Sequence, residues 1–144
     1  MKKYVITLSK VFPTTHKRAG EITGFRINFR KTKLHTIRAN YPLWEARFKE
    51  IAEGKACLCV RQWTGKPYCS KQEEIACLTR EDGIGLQCLE SWEGRNPKID
   101  GKYVFRERVA WKDGLSVEDW LEWFRKYDKT KPMAIIQFTD FRYK

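Results

Sequence analysis

Short apolar runs alternate along this chain with breaks marked by Gly, Pro, Thr and Asn, and the spacing inside each run indicates its element. Residues 4–8 read as a first strand. Residues 13–24, rich in Thr, Gly and Lys/Arg, read as a loop, and Thr23-Gly24 ahead of residues 25–29 predicts a short helix capped by Thr23. Residues 34–38 form a short β segment. Beyond Asn40-Tyr41-Pro42, the residues Trp44, Phe48 and Ile51 fall at i, i+4 and i+7, Pro42 suits a first helical turn, and Gly54 suits a stop. That pattern is a helix with one buried stripe.

Residues 56–63 and 68–79, joined through Thr64-Gly65-Lys66-Pro67, predict a β-hairpin. Residues 84–89 are a weaker strand, and 93–101, with Gly, Asn, Pro and Asp, a loop. Residues 104–111 suit strand or helix, and the Asp113-Gly114 ending favours helix. The clearest helix covers 117–127, where Val117, Trp120, Leu121 and Phe124 share a face, Ser116 can cap, and Asp119 stands three residues on as in a capping box. Residues 133–138 form a last apolar strand. Short strands with a few helices make an α+β fold on a mostly antiparallel sheet, and pattern alone leaves a barrel as one option.

At 144 residues this is the size of one domain, 1–144. Four of the five Cys (57, 59, 69, 77, 88) sit in apolar runs, where a reduced Cys behaves as a small buried hydrophobe. Cys57-Leu58-Cys59 puts two thiols on one strand face, but there is no Cys-x-x-Cys and only two His, so neither a metal nor another cofactor is expected. The N-terminus has no signal-peptide core and no run of 18 apolar residues occurs, which predicts a cytoplasmic protein without a membrane partner, expected as a monomer.

Charge is the first pointer to a partner. The chain carries +11, and residues 1–38 hold ten Lys/Arg against one acid, Glu21, a net +9. A solvated face would explain this, but a one-sided concentration also attracts phosphate. Phosphate-loop and Cys-His protease signatures are lacking, with His16 and His35 in basic, polar stretches.

The segment Lys31-Thr32-Lys33-Leu34-His35-Thr36-Ile37-Arg38 carries a family resemblance. Lys33-x-x-Thr36-x-Arg38, followed by Asp113-Gly114-Leu115-Ser116 leading into Trp120-Leu-Glu-Trp-Phe124 and a last apolar strand, resembles the ASCH domain, a relative of the RNA-binding PUA barrel. The family's Gly before the motif Lys is replaced here by Lys31-Thr32. The resemblance implies a mixed β-barrel with flanking helices and a cleft around Lys33, Thr36 and Arg38. It also implies that Asp113 stands where the small N(4)-acetylcytidine amidohydrolases of the family have a catalytic Glu, one methylene shorter.

Lys33 and Thr36 are three apart, so on one strand they would face opposite ways, and a shared site needs a turn between them. Nearby Arg30, Lys31 and Arg38 would press the Lys33 pKa down. Solvated Lys33 and Arg38, and an Asp113 serving only its turn, are the alternatives. The hairpin Arg61 to Tyr68 mixes cations with Trp63 and Tyr68, as base-stacking surfaces do, although cross-strand packing also accounts for the aromatics. Three functions follow as expectations. The first is a module binding RNA or a nucleoside or nucleotide through Lys31, Lys33, Arg38, Arg61, Trp63 and Tyr68. The second is a metal-independent amidohydrolase on acylated cytidine, using Lys33, Thr36 and Asp113. The third is a protein-binding accessory module, for which no residue speaks specifically.

Overall fold

In the computed structural model, which describes residues 1–92 and 94–144, alternation along the first strand sets the core. Strand β1 (Lys2–Leu8) turns Ile6 and Leu8 inward and leaves Lys3 and Val5 outside. The chain then forms α1 (Phe25–Asn28), β2 (His35–Arg38) and α2 (Tyr41–Ala52) before β3 (Ala56–Trp63) returns parallel to β1, in register from Lys2 with Ala56 to Leu8 with Gln62. The α2 stripe of Trp44, Phe48 and Ile51 is buried as its spacing predicts, Asn40 accepts from Leu43 N at the start, and Gly54 follows the last turn at φ 76°. Strand β4 (Gln72–Leu78) pairs antiparallel with β3 and completes a three-stranded sheet.

The second sheet has five strands in the order β2, β8, β5, β6, β7. Its members are β5 (Gly85–Ser91), β6 (Lys98–Ile99), β7 (Lys102–Tyr103) and β8 (Met133–Gln137), all antiparallel to their neighbours. All five residues of β8 are buried, as a strand covered on both faces requires. Helix α2 packs on β3, β5 and β8. Helices α3 (Arg106–Lys112) and α4 (Val117–Trp123) pack on each other, and Trp120 and Phe124 meet Trp92 at ring separations of 4.6 and 5.2 Å.

The architecture is α+β, and the hydrogen-bond ladders form two sheets with no closed barrel among the described residues. No helix among the described residues is long and apolar enough to cross a membrane.

Several boundaries differ from expectation for physical reasons. The second hairpin strand begins at Gln72 rather than Tyr68, because Tyr68 takes φ 64° and Ser70 Oγ caps Gly65 N in a turn. Within the expected loop 93–101, whose residue 93 lies outside the described residues, Lys98-Ile99 pairs with Lys102-Tyr103. Asp100 and Gly101, at φ 46° and 83°, make the tight turn between them. Helix α4 ends at Trp123, four residues early. Its Ser116 cap is present on Asp119 N, but the Asp119 carboxylate meets the Arg18 guanidinium at 2.5 Å instead of completing a capping box. Thr23 Oγ1 accepts from Phe25 N, although Gly24 occupies the N-cap position of α1.

Candidate functional site

Turn geometry between α1 and β2 brings the motif together. Asn28 O accepts the amides of Lys31, Thr32 and Lys33 at 2.9, 3.2 and 3.0 Å, and Arg30 takes the left-handed φ of 62° that a glycine would take more easily. Lys33 therefore enters the interior just before β2, and Thr36 follows on the strand. Asp113 comes from the other side of the molecule, as the C-cap of α3. Gly114 N bonds Trp111 O and Leu115 N bonds Ala110 O, a Schellman ending with Gly114 at φ 82°. A Cβ on Gly114 would lie 3.2 Å from Lys33 Cβ, so the close approach also requires glycine.

The outcome is a buried ion pair. Lys33 Nζ donates to Asp113 O at 2.7 Å and to Asp113 Oδ1 at 3.0 Å, and it sits 4.0 Å above the Phe25 ring. Only 2% of Lys33 and 3% of Asp113 is exposed. Burial drives the Lys33 ammonium below its ordinary value, against the attraction of Asp113, and Arg38 adds repulsion. Burial acts to raise the Asp113 carboxyl, but Lys33 and His35 outweigh it and hold the group below the usual carboxylate range.

His35, expected in polar surroundings, is wholly buried. Its Nδ1 faces Asp113 Oδ1 at 3.5 Å and its Nε2 meets Tyr143 OH at 2.6 Å. Burial lowers its pKa and so favours the neutral ring. The C-terminal tail is held in turn by Gln87, which accepts from Tyr143 N at 2.8 Å and donates to Tyr143 O at 2.9 Å. His16 is likewise buried, with Nε2 3.1 Å from Asp119 O, and fastens the long loop to α4.

Lys33, Thr36, Arg38 and Asp113 line one pocket together with Leu8, Ser9, Phe25 and Trp123. Its free volume, about 20 Å³, holds about one water. Leu8 and Ser9 also line a wider hollow of about 390 Å³ with Lys10, Phe12, Trp63 and Tyr68. A third of about 230 Å³ shares Phe25 with the first and Lys10 and Trp63 with the second. With the ion pair lining the smallest of them, the three hollows adjoin through these shared wall residues and are together called the cleft. Trp63 and Tyr68 stand at its mouth with ring centroids 5.2 Å apart, Tyr68 being 89% exposed. Arg38 lines the smallest hollow, donating to Thr7 O at 2.6 Å while its Nε is shielded from solvent with no partner among the described residues.

Two expected members stay outside. Arg61 donates to Gln72 across the hairpin, and Lys31 is exposed in the turn; neither lines these hollows. The basic first quarter is half answered by acids. Of its ten cations, Lys2, Lys17, Arg18, Arg26 and Lys33 lie within 4 Å of a carboxylate among the described residues, and of the other five, Lys10 and Arg38 line the hollows while Lys3, Arg30 and Lys31 do not. The sequence pattern missed His35 and Tyr143, which carry no spacing signal, and the second role of Trp123, which packs against the core as expected and also lines the pocket. No protein-family model, curated protein or solved structure matches the chain.

Proposed function

We propose that the cleft binds RNA or a nucleoside or nucleotide from it, with the base at Trp63 and Tyr68 and the inner end read by Arg38 and Thr36. The observation that carries this reading is adjacency. A polar pocket lined by Lys33, Thr36, Arg38 and Asp113 shares Leu8 and Ser9 with a hollow of about 390 Å³ that has an aromatic wall and Lys10. That volume is within the range of small-molecule sites. Aromatic faces stack any base, and Lys10 and Arg38 can meet a phosphate or a base edge. The resemblance of Lys33-x-x-Thr36-x-Arg38 to the ASCH motif, and with it membership in the PUA-like barrels, belongs to the same proposal.

Titration of the protein with fluorescein-labelled short single-stranded RNAs at 50 and 200 mM salt tests it. Affinity falls by about sevenfold between the two salt concentrations, as about two phosphate contacts on a single strand require, and Trp63→Ala weakens binding by about tenfold, the worth of one stacked base. Arg38→Ala weakens it more than Lys129→Ala, with circular dichroism verifying the fold. No binding at 50 mM salt, or equal affinity for all three variants, removes the proposal.

A second reading draws on the lowered basicity of Lys33 beside Thr36. In it, neutral Lys33 takes the Thr36 Oγ1 proton, Oγ1 attacks the acetyl carbonyl of N(4)-acetylcytidine, and the cytidine amine leaves with the proton while water later frees acetate. Asp113 would orient Lys33, and Arg38 would face the oxyanion. Binding is preferred because the inner pocket holds about one water and Lys33 is engaged by Asp113. Cytidine release abolished by Lys33→Ala and by Thr36→Ala would reverse that preference.

A further inference from the structure

The three-stranded sheet turns Ile6, Leu8, Leu58, Val60 and Leu78 towards the core. On its other face β3 sets Cys57 and Cys59 two residues apart, and β4 places Cys77 directly opposite Cys59 in the ladder. Cys77 Sγ is 3.1 Å from Cys59 Sγ and 3.3 Å from Cys57 Sγ, and all three sulfurs lie within 4.8 Å of one another. The three are reduced, and none belongs to the hydrophobic core cluster. Cys57 and Cys59 are buried while Cys77 is exposed, which gives the group a solvent-facing side. In the sequence only the Cys57-Leu58-Cys59 pair is visible, because the third thiol arrives from across the hairpin.

We propose that Cys57, Cys59 and Cys77 form a binding site for one soft, thiophilic cation, and that its three-sulfur donor set selects Cu(I). Thiolates prefer Cu(I) and Zn(II) among common ions. A structural zinc takes four ligands, whereas the described residues supply no carboxylate or imidazole to this cluster. Three sulfurs around one ion at about 2.3 Å would stand roughly 4 Å apart. The observed separations need to open by less than about 1 Å, within the reach of Cys χ1 adjustments.

Binding exchanges three S–H protons for the ion, and the protons leave to solvent. The site then carries a net −2 with Cu(I), which Lys3, paired with Cys57 in the β1 ladder, partly offsets. The ligands bind as thiolates, so the ion competes with protons and binding weakens as pH falls.

The test is an anaerobic titration of the reduced protein with Cu(I) against a chromophoric Cu(I) chelator. The wild type withholds one equivalent, and Cys69→Ser and Cys88→Ser, outside the cluster, do the same. Cys77→Ser, at an exposed strand position where the hydroxyl can be solvated, loses affinity at least tenfold with its circular dichroism unchanged. Equal retention by Cys77→Ser, or no withheld Cu(I) in the wild type, overturns the site. In a parallel titration with Zn(II) and a zinc chelator, retention of Zn(II) by a protein that releases Cu(I) overturns the choice of ion.

Discussion

Removing the Asp113 carboxylate isolates what the buried ion pair contributes. Ala is compatible with the φ −87°, ψ 0° of position 113, so Asp113→Ala removes the charge without straining the backbone. It strands a lysine that is 2% exposed and keeps only the Asp113 carbonyl and the Phe25 ring as partners. A buried charge that loses its partner costs about 3–5 kcal/mol. The lysine can limit that cost by giving up its proton. From an ordinary pKa of 10.5, this costs about 4.8 kcal/mol at pH 7 and about 2 kcal/mol at pH 9. The loss therefore falls from about 3–5 kcal/mol at pH 7 to about 2 kcal/mol at pH 9.

Urea unfolding followed by Trp fluorescence measures it, since buried Trp92 and Trp120 report on the core and a chain of this length is suited to two-state treatment. Lys33→Met added to Asp113→Ala leaves no charge to strand and recovers about 2 kcal/mol of the pH 7 loss. Asp113 carries the acid side as well. Its pKa is held below the ordinary 3.8, so the stability it contributes is complete above that value and is lost as pH falls through the folded one. Wild type thus loses stability below about pH 4 more steeply than Asp113→Ala. A cost under about 1 kcal/mol at pH 7, or one equal at both pH values, would refute the charged pair.

Gly114→Ala meets both a φ of 82° and a contact of 3.2 Å with Lys33, whereas Gly101→Ala meets a φ of 83° and open space. Both lose about 1–2 kcal/mol in urea unfolding from the left-handed backbone, and Gly114→Ala loses about 1 kcal/mol more; equal losses would mean that Lys33 yields freely. Tyr143→Phe removes the hydroxyl that Nε2 of His35 meets at 2.6 Å and strands a buried imidazole nitrogen. It lowers stability by about 1–3 kcal/mol in the same assay, and a change under about 0.5 kcal/mol would show that the hydrogen bond is not formed.

Elements with strong periodicity were legible in the sequence. The i, i+4, i+7 stripe of Trp44, Phe48 and Ile51 became the buried face of α2, and the apolar runs at 56–63 and 133–137 became β3 and β8. Ends were less legible where tertiary contacts compete with local patterns. Asp119 completes no capping box because Arg18, a hundred residues earlier, takes its carboxylate. Lys98-Ile99 pairs only because Asp100 turns the chain, and the Asp100 carboxylate accepts from Cys88 N and Gln87 Nε2. That support lies on another strand, beyond the reach of a local window.

The candidate site divides along the same line. The sequence limits Lys33 and Thr36 to a common site only if the strand geometry does not extend back to Lys33, and the Asn28 carbonyl with its three amides turns the chain up to Lys33, so that β2 begins only at His35, without the glycine the pattern would lead one to seek. Net charge is blind to pairing: among the described residues, acids from positions 50, 73, 113, 118 and 119 meet half of the early cations. Of the five left, Lys3, Arg30 and Lys31 lie outside the hollows. Lys10 and Arg38 flank a cleft whose aromatic wall comes from Trp63 and Tyr68 on the β3–β4 hairpin. With few cations at the cleft, stacking must supply much of the affinity, and the salt slope should correspond to about two phosphates rather than to the +9 of the first quarter. A slope of about 1.4 with strong dependence on Trp63 would fit that division, and a slope approaching about 6 would place the RNA on a different surface.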